Sequence, residues 1–199
     1  MQRSIRDRGV LLDSRPSGER HFCTALLEVN GLTRFLYQPS RRRTGPGLFN
    51  TASFLLTKTG NSQDFLFLSE FQDEITRAEI GRSYDILESS SALARILIDN
   101  GLHFEQPEPV FTLLNRFLDA IAGSPLPRIS LLKALYQLAK LEGLPVREDW
   151  LDHLPPPQNA LATSLLFQPL KDLTDDHPAP PLIISISEWL RKSADWRIE

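Results

Sequence analysis

Three consecutive arginines, Arg41, Arg42 and Arg43, are the side chains of this sequence best suited to binding chemistry. A guanidinium presents a planar fork of N–H donors that matches phosphate and also stacks on flat rings. The triplet lies in the run Gln38-Pro39-Ser40-Arg41-Arg42-Arg43-Thr44-Gly45-Pro46-Gly47, whose prolines and glycines mark a loop. It does not stand alone. Residues 1–60 hold ten bases and four acids, a net charge of +6, whereas the remainder holds twelve bases and 21 acids, a net charge of −9. Nine of the ten bases are arginine. The overall charge of −3 therefore conceals a cationic N-terminal part with its own attractive field. The competing interpretation of these charges is an Arg-rich solvated surface without a ligand.

Catalytic constellations are scarce. His21, His103, His153 and His177 are scattered, and no Gly-rich phosphate loop, His-Glu metal motif or Gly-x-Ser-x-Gly elbow occurs. Asp175-Asp176-His177 has metal-binding residue types, but its flanking prolines mark an exposed loop. The single cysteine, Cys23, excludes an internal disulfide and a multi-cysteine zinc site. The expectation is a protein that is not an enzyme and needs no cofactor or metal. No run approaches the roughly 20 apolar residues of a membrane span. The N-terminus is basic without the apolar stretch of a signal peptide, so a cytoplasmic location is expected.

The elements that must position the arginines are β-strands. Cys23, Ala25, Leu27 and Val29 alternate along one arm, and Thr33, Phe35 and Tyr37 along the next. Period-two alternation marks half-buried strands. Asn30-Gly31 between them predicts a type I′ hairpin turn, which needs φ > 0 at both residues. A strand precedes at Gly9-Val10-Leu11-Leu12, and two follow, at 48–57 and 64–69. Five short strands within about 70 residues suit a small closed barrel such as the OB-fold. An SH3-like barrel or an open meander would give much the same pattern.

Beyond residue 73 the period becomes helical. Ile80, Tyr84, Leu87, Ser91, Ala94, Leu97 and Ile98 form one stripe, ended by Gly101. Val110, Phe111, Leu114, Phe117, Leu118 and Ile121 form a second, and Leu131, Leu132, Leu135, Leu138 and Ala139 a third. Asn159 is placed to cap a further helix, and Ser185-Ile186-Ser187-Glu188 has the spacing of a capping box that opens the last one. The expected fold class is α+β, with a five-stranded OB-fold barrel over residues 1–72 and an all-α domain over 73–199.

Order and spacing together resemble the bacterial RecO family of recombination mediators. The resemblance rests on Gly9-Val10-Leu11-Leu12, the hairpin, Ser40-Arg41-Arg42-Arg43, the segment Glu108-Pro109-Val110-Phe111-Thr112-Leu113-Leu114-Asn115-Arg116-Phe117-Leu118, Leu131-Leu132-Lys133-Ala134-Leu135, and Leu141-Glu142-Gly143-Leu144-Pro145-Val146. It covers roughly residues 1 to 150. It departs from the family where many members carry a cysteine-based zinc module. Here that region holds Trp150, His153 and three prolines, so no structural zinc is expected, and the resemblance leads to the expectation of a reduced C-terminal region.

The resemblance implies a DNA-binding protein without catalytic chemistry. RecO-like proteins bind single- and double-stranded DNA, anneal complementary strands, and with RecR help load RecA on strands coated by single-strand binding protein. They also bind the acidic, apolar C-terminal tail of that protein. On this basis Arg41, Arg42, Arg43, Arg34, Arg20 and Lys58 are expected to neutralise phosphates, and Tyr37, Phe35 or Phe22 beside Arg20 to stack bases. For the aromatics, core packing is the stronger expectation. Arg128, Leu132, Lys133 and Tyr136, with Leu131 and Leu135, are expected to offer the tail a basic rim beside an apolar groove. The rival expectation is a protein-interaction adaptor whose barrel has little affinity for DNA.

Overall fold

The computed structural model describes residues 4–39, 45–58, 65–102 and 104–198. Its N-terminal part is a closed barrel of five strands: β1 (Ser4–Ser17), β2 (Arg20–Leu27), β3 (Gly31–Tyr37), β4 (Thr51–Lys58) and β5 (Leu66–Ile75). The strand order around the barrel is β1-β2-β3-β5-β4, closed by pairing of β1 with β4. The long β1 serves two neighbours: its first half pairs with β4 and its second half with β2. All pairs are antiparallel except β3 with β5. This is the expected OB-like barrel, and helices follow it to give an α+β protein.

Alternation decides the inside of the barrel. Leu11, Cys23, Ala25, Leu27, Phe35, Tyr37, Ala52, Phe54 and Leu56 fill it, as the spacing in the two hairpin arms predicts. Val29, 74% exposed, and Thr33, half-buried, are the exceptions. The hairpin turn differs from the expected two-residue form. Leu27 pairs with Gly31, so Glu28, Val29 and Asn30 form a three-residue loop. Gly31 alone takes a positive φ, 68°, which is the αL residue that closes such loops. The cause is Asp7. Its carboxylate accepts the Val29 and Asn30 backbone N–H groups at 3.1 and 3.0 Å and the Asn30 side-chain amide at 2.7 Å.

Five longer helices follow: α1 (Tyr84–Asn100), α2 (Pro107–Ala122), α3 (Pro127–Leu141), α4 (Pro156–Phe167) and α5 (Ala179–Ser193). The stripes predicted for α2 and α3 are all buried. In α1 the stripe is rotated: Tyr84 and Leu87 are exposed, while Ser89, Ser90, Leu93 and Ala94 face inward. The last helix starts at Ala179 rather than at the Ser185 capping box, because prolines in a first turn need donate no hydrogen bond. Asn159 lies inside the first turn of α4 and donates to the Leu151 carbonyl at 2.7 Å instead of capping. No helix among the described residues is long and apolar enough to cross a membrane.

The chain forms two compact units. One comprises residues 1–77 with 101–115, and the other comprises 78–100 with 116–199. The first therefore adds the start of α2 to the barrel strands. Within it, the Arg77 guanidinium is buried, 4% exposed. It donates to the Phe49 carbonyl at 2.8 Å, the Thr51 hydroxyl at 3.0 Å and the Asn115 side-chain oxygen at 3.0 Å. Its backbone N–H donates to the Asn50 side-chain oxygen at 3.0 Å. Replacing Arg77 by Leu removes the guanidinium donors to the Phe49 carbonyl, the Thr51 hydroxyl and the Asn115 oxygen, while the backbone N–H to Asn50 remains. The expected loss is about 3 kcal/mol of stability, read as a lower urea midpoint with an unchanged m value.

Candidate nucleic-acid interface

On β2 and β3 the residues that alternate with the core point out of the barrel. Cross-strand partners share a face. Phe22 pairs with Leu36, Leu36 with Phe67, and Phe67 with Thr57, so one outward row crosses four strands. Thr24 and Arg34 form the neighbouring row. The Thr57 and Ser69 hydroxyls meet at 2.7 Å beside Phe67. On β1 the same two rows continue to Arg15, opposite Phe22, and to Asp13, opposite Thr24, and these two form an ion pair with each other at 2.8 Å.

The aromatics here are exposed, not core. Phe22 is 45% exposed and Phe65, just before β5, is 44% exposed. Their rings meet edge to face, with centroids 6.2 Å apart and planes inclined at 66°. The Arg20 guanidinium stacks over Phe67, 5.6 Å from the ring centroid, a cation–π arrangement. Arg20 and Arg34 are both exposed, and neither forms an ion pair with a described residue.

Other cations of the N-terminal part are neutralised within the barrel. Arg6 reaches Glu70 at 3.9 Å, and Arg15 reaches Asp13 at 2.8 Å. Arg8 reaches Glu74 at 2.9 Å and Glu28 at 3.4 Å, and its hydrogen bond to Glu74 raises its pKa further. Lys58 is half-buried at the end of β4 and does not count among the free cations.

Of the residues expected to bind DNA, Arg20 and Arg34 come together on this face beside Phe22. Arg41, Arg42 and Arg43 lie outside the described residues. Their flanks are described: β3 ends at Tyr37, opposite His21, and Gly45 packs so closely on the Tyr37 ring that a Cβ there would come within 2.8 Å of it. Tyr37 itself must be corrected as a base platform. It is 7% exposed, inside the barrel, edge-on to His21 and Phe71 at 6.4 Å. Phe35 is likewise core. Phe65 and Phe67 escape the sequence reasoning about stacking, although their spacing of two puts them on one face. Cys23 faces the barrel interior, where burial pushes its thiol pKa up.

The expected partner site on α3 is also corrected, because its four residues are engaged within the helical unit. Leu132 and Tyr136 are buried, and the Tyr136 ring packs on Trp150 and Phe167. The Arg128 guanidinium lies 3.1 Å from Asp85 and 3.9 Å from Glu88. The Arg128 and Ile129 backbone N–H groups donate to the Asp176 carboxylate, which thereby closes the N-terminal turn of α3. The Lys133 ammonium donates to the carbonyls of Leu166 and Gln168 at 2.8 and 2.7 Å, closing the C-terminal end of α4. Leu131 and Leu135 instead line a cleft of about 480 Å³ whose other walls include Tyr84, Leu87, Arg95 and Arg197.

No protein-family model matches the chain, and no curated protein matches it.

Burial lowers the pKa of Lys133. A lysine of lowered pKa holds its proton less tightly when folded than when unfolded. Its contribution to stability therefore rises with pH in the window just below the ordinary lysine value of about 10.4. Urea midpoints should show this rise in the wild type and lose it in Lys133→Met. That variant should also be about 1–2 kcal/mol less stable at neutral pH, because the Leu166 and Gln168 carbonyls are left without their donor.

Proposed function

We propose that this chain is a RecO-like, non-catalytic DNA-binding protein of recombinational repair. It binds single- and double-stranded DNA through the barrel and anneals complementary strands. With RecR it helps load RecA on strands coated by single-strand binding protein. The observation that carries this reading is the β2–β3 face of the OB-like barrel, where Arg20 and Arg34 are exposed and free of ion pairs among the described residues, and where the neighbouring Asp13 is taken up by Arg15. Such a face neutralises phosphates and releases their counterions, which binds nucleic acid without regard to sequence. In the sequence, Arg41, Arg42 and Arg43 follow four to six residues after the end of β3 and bring three further cations.

The test is anisotropy with a labelled oligonucleotide over a range of salt. Replacing Arg20 and Arg34 by Ala should weaken binding and flatten the log–log salt slope by about 0.7 for each single-strand phosphate no longer neutralised. Replacing the 41–43 triplet should do the same more strongly. A wild-type protein that binds no DNA at low salt overturns this reading.

The adaptor reading draws on the cleft of the helical unit. Its apolar floor of Leu131, Leu135 and Ile96 and its cations Arg95 and Arg197, set against one acid, Glu88, that lies 3.9 Å from Arg128, are complementary to an acidic, apolar tail such as that of single-strand binding protein. A labelled tail peptide should bind the wild type and bind Arg95→Glu more weakly. Equal affinity for the two proteins removes the cleft as the seat of the tail.

A further inference from the structure

The phosphate contacts proposed above do not account for the two exposed phenylalanines of the barrel. Single apolar side chains on a surface are ordinary. Phe22 and Phe65 are different because they touch each other, 6.2 Å between centroids, and share a face of the barrel with two exposed arginines, Arg20 over Phe67 and Arg34 opposite Thr24. Nearly half of each residue's surface remains open, 45% and 44%. At 66° the two planes form a wedge and not a closed sandwich. A flat ring can lie on one face of such a wedge while its edge meets the other ring. Phe67, in the row of Phe22 and two residues after Phe65, is already covered by the Arg20 guanidinium, so that ring helps fix the cation in place.

We propose that Phe22 and Phe65 form a stacking wedge for an unpaired base, which makes this face select single-stranded nucleic acid over duplex. The proposal rests on the nucleic-acid reading given above. Its physics is independent of charge. In a duplex each base is covered above and below by its neighbours, so only phosphates reach the protein. In a single strand the faces of the bases are free, and every base has one, so stacking on phenylalanine is tolerant of sequence. The arginines hold the backbone of either form, whereas the wedge rewards only the unpaired one. Arg34, on the row next to Phe22, lies where the phosphate of a stacked nucleotide can be met.

The experiment compares a labelled thymidine oligonucleotide of about 16 nucleotides with a duplex of the same length. Wild-type protein should bind the single strand more tightly. Phe22→Ala and Phe65→Ala should each weaken single-strand binding about tenfold while leaving duplex affinity and both salt slopes unchanged. Phe22→Trp should retain the preference, since an indole stacks as well. More than half of each residue's surface is covered, so the Ala variants should lower the thermal midpoint slightly while the unchanged duplex affinity shows that the barrel stays folded. Equal weakening on single strand and duplex, or none on either, overturns the wedge and leaves the patch to a protein partner. In that case continued weakening of binding in the Arg20→Ala and Arg34→Ala proteins keeps the nucleic-acid reading intact. A wild type that binds neither form overturns both.

Discussion

The barrel unit is assembled around one buried cation. The Arg77 guanidinium reaches the loop before β4 at the Phe49 carbonyl, the first residue of β4 at Thr51, and α2 at Asn115. A buried guanidinium has a large desolvation cost, which hydrogen-bond acceptors of good geometry must offset. That requirement fixes where β4 begins. Phe49 holds a positive φ of 63°, which is costly for a bulky residue and persists only where its surroundings enforce it. Its N–H donates to the Leu11 carbonyl at 2.9 Å while its own carbonyl accepts from Arg77. Asn50 completes the set. Its side-chain oxygen accepts the Arg77 N–H, and its amide hydrogen-bonds Asp73, a carboxyl whose pKa burial pushes up. One end of the segment that carries Arg41–Arg43 is thus pinned to the barrel.

None of this is legible in the sequence. Arg77 reads there as a polar residue in the transition from strands to helices, and its partners lie 26 to 38 residues away. Local patterning is legible where a burial pattern follows from the element itself. The alternation through Cys23, Ala25, Leu27, Phe35 and Tyr37 correctly gives one face, and the heptad-like stripes of α2 and α3 give theirs. Alternation says that two faces exist, and closure of the barrel says which is inside. Tyr37 fails as a base platform for that reason: its parity with Phe35 places it in the core. The rotated stripe of α1 has a related cause. Tyr84 and Leu87 border the cleft, whereas Ser89 and Ser90 are small enough to be packed over. The partner residues on α3 fail for another reason: Lys133 and Arg128 look like a free basic rim until Leu166, Gln168, Asp85 and Asp176 come beside them.

Charge behaves in the same way. A net +6 over residues 1–60 overstates the field available to a ligand, because Arg6, Arg8 and Arg15 face acids from β1, β5 and the β2–β3 turn. Exposed pairs of this kind add little to stability, but they cancel local potential. What survives among the described residues is concentrated on the β2–β3 face, where Arg20 and Arg34 stand among phenylalanines and hydroxyls. A few cations that no acid pairs with present a better-defined site than a larger number that are neutralised.

The position of those cations is set by the core rather than by the loops. Phe35 and Tyr37 point inward, and strand geometry then forces Arg34 and Leu36 outward. Cys23 pointing inward does the same for Phe22. A slip of one residue in the β2–β3 register would exchange the two sets, burying a guanidinium and exposing the barrel interior. The energy that packs Phe35 against Phe54, centroids 5.8 Å apart, therefore also keeps Phe22 and Arg34 on the outer surface. Flexible basic segments gain affinity but pay in ordering when they bind. A face built on paired strands has already met that cost in folding, so the contacts it makes can discriminate between the shapes of ligands and not only between their charges.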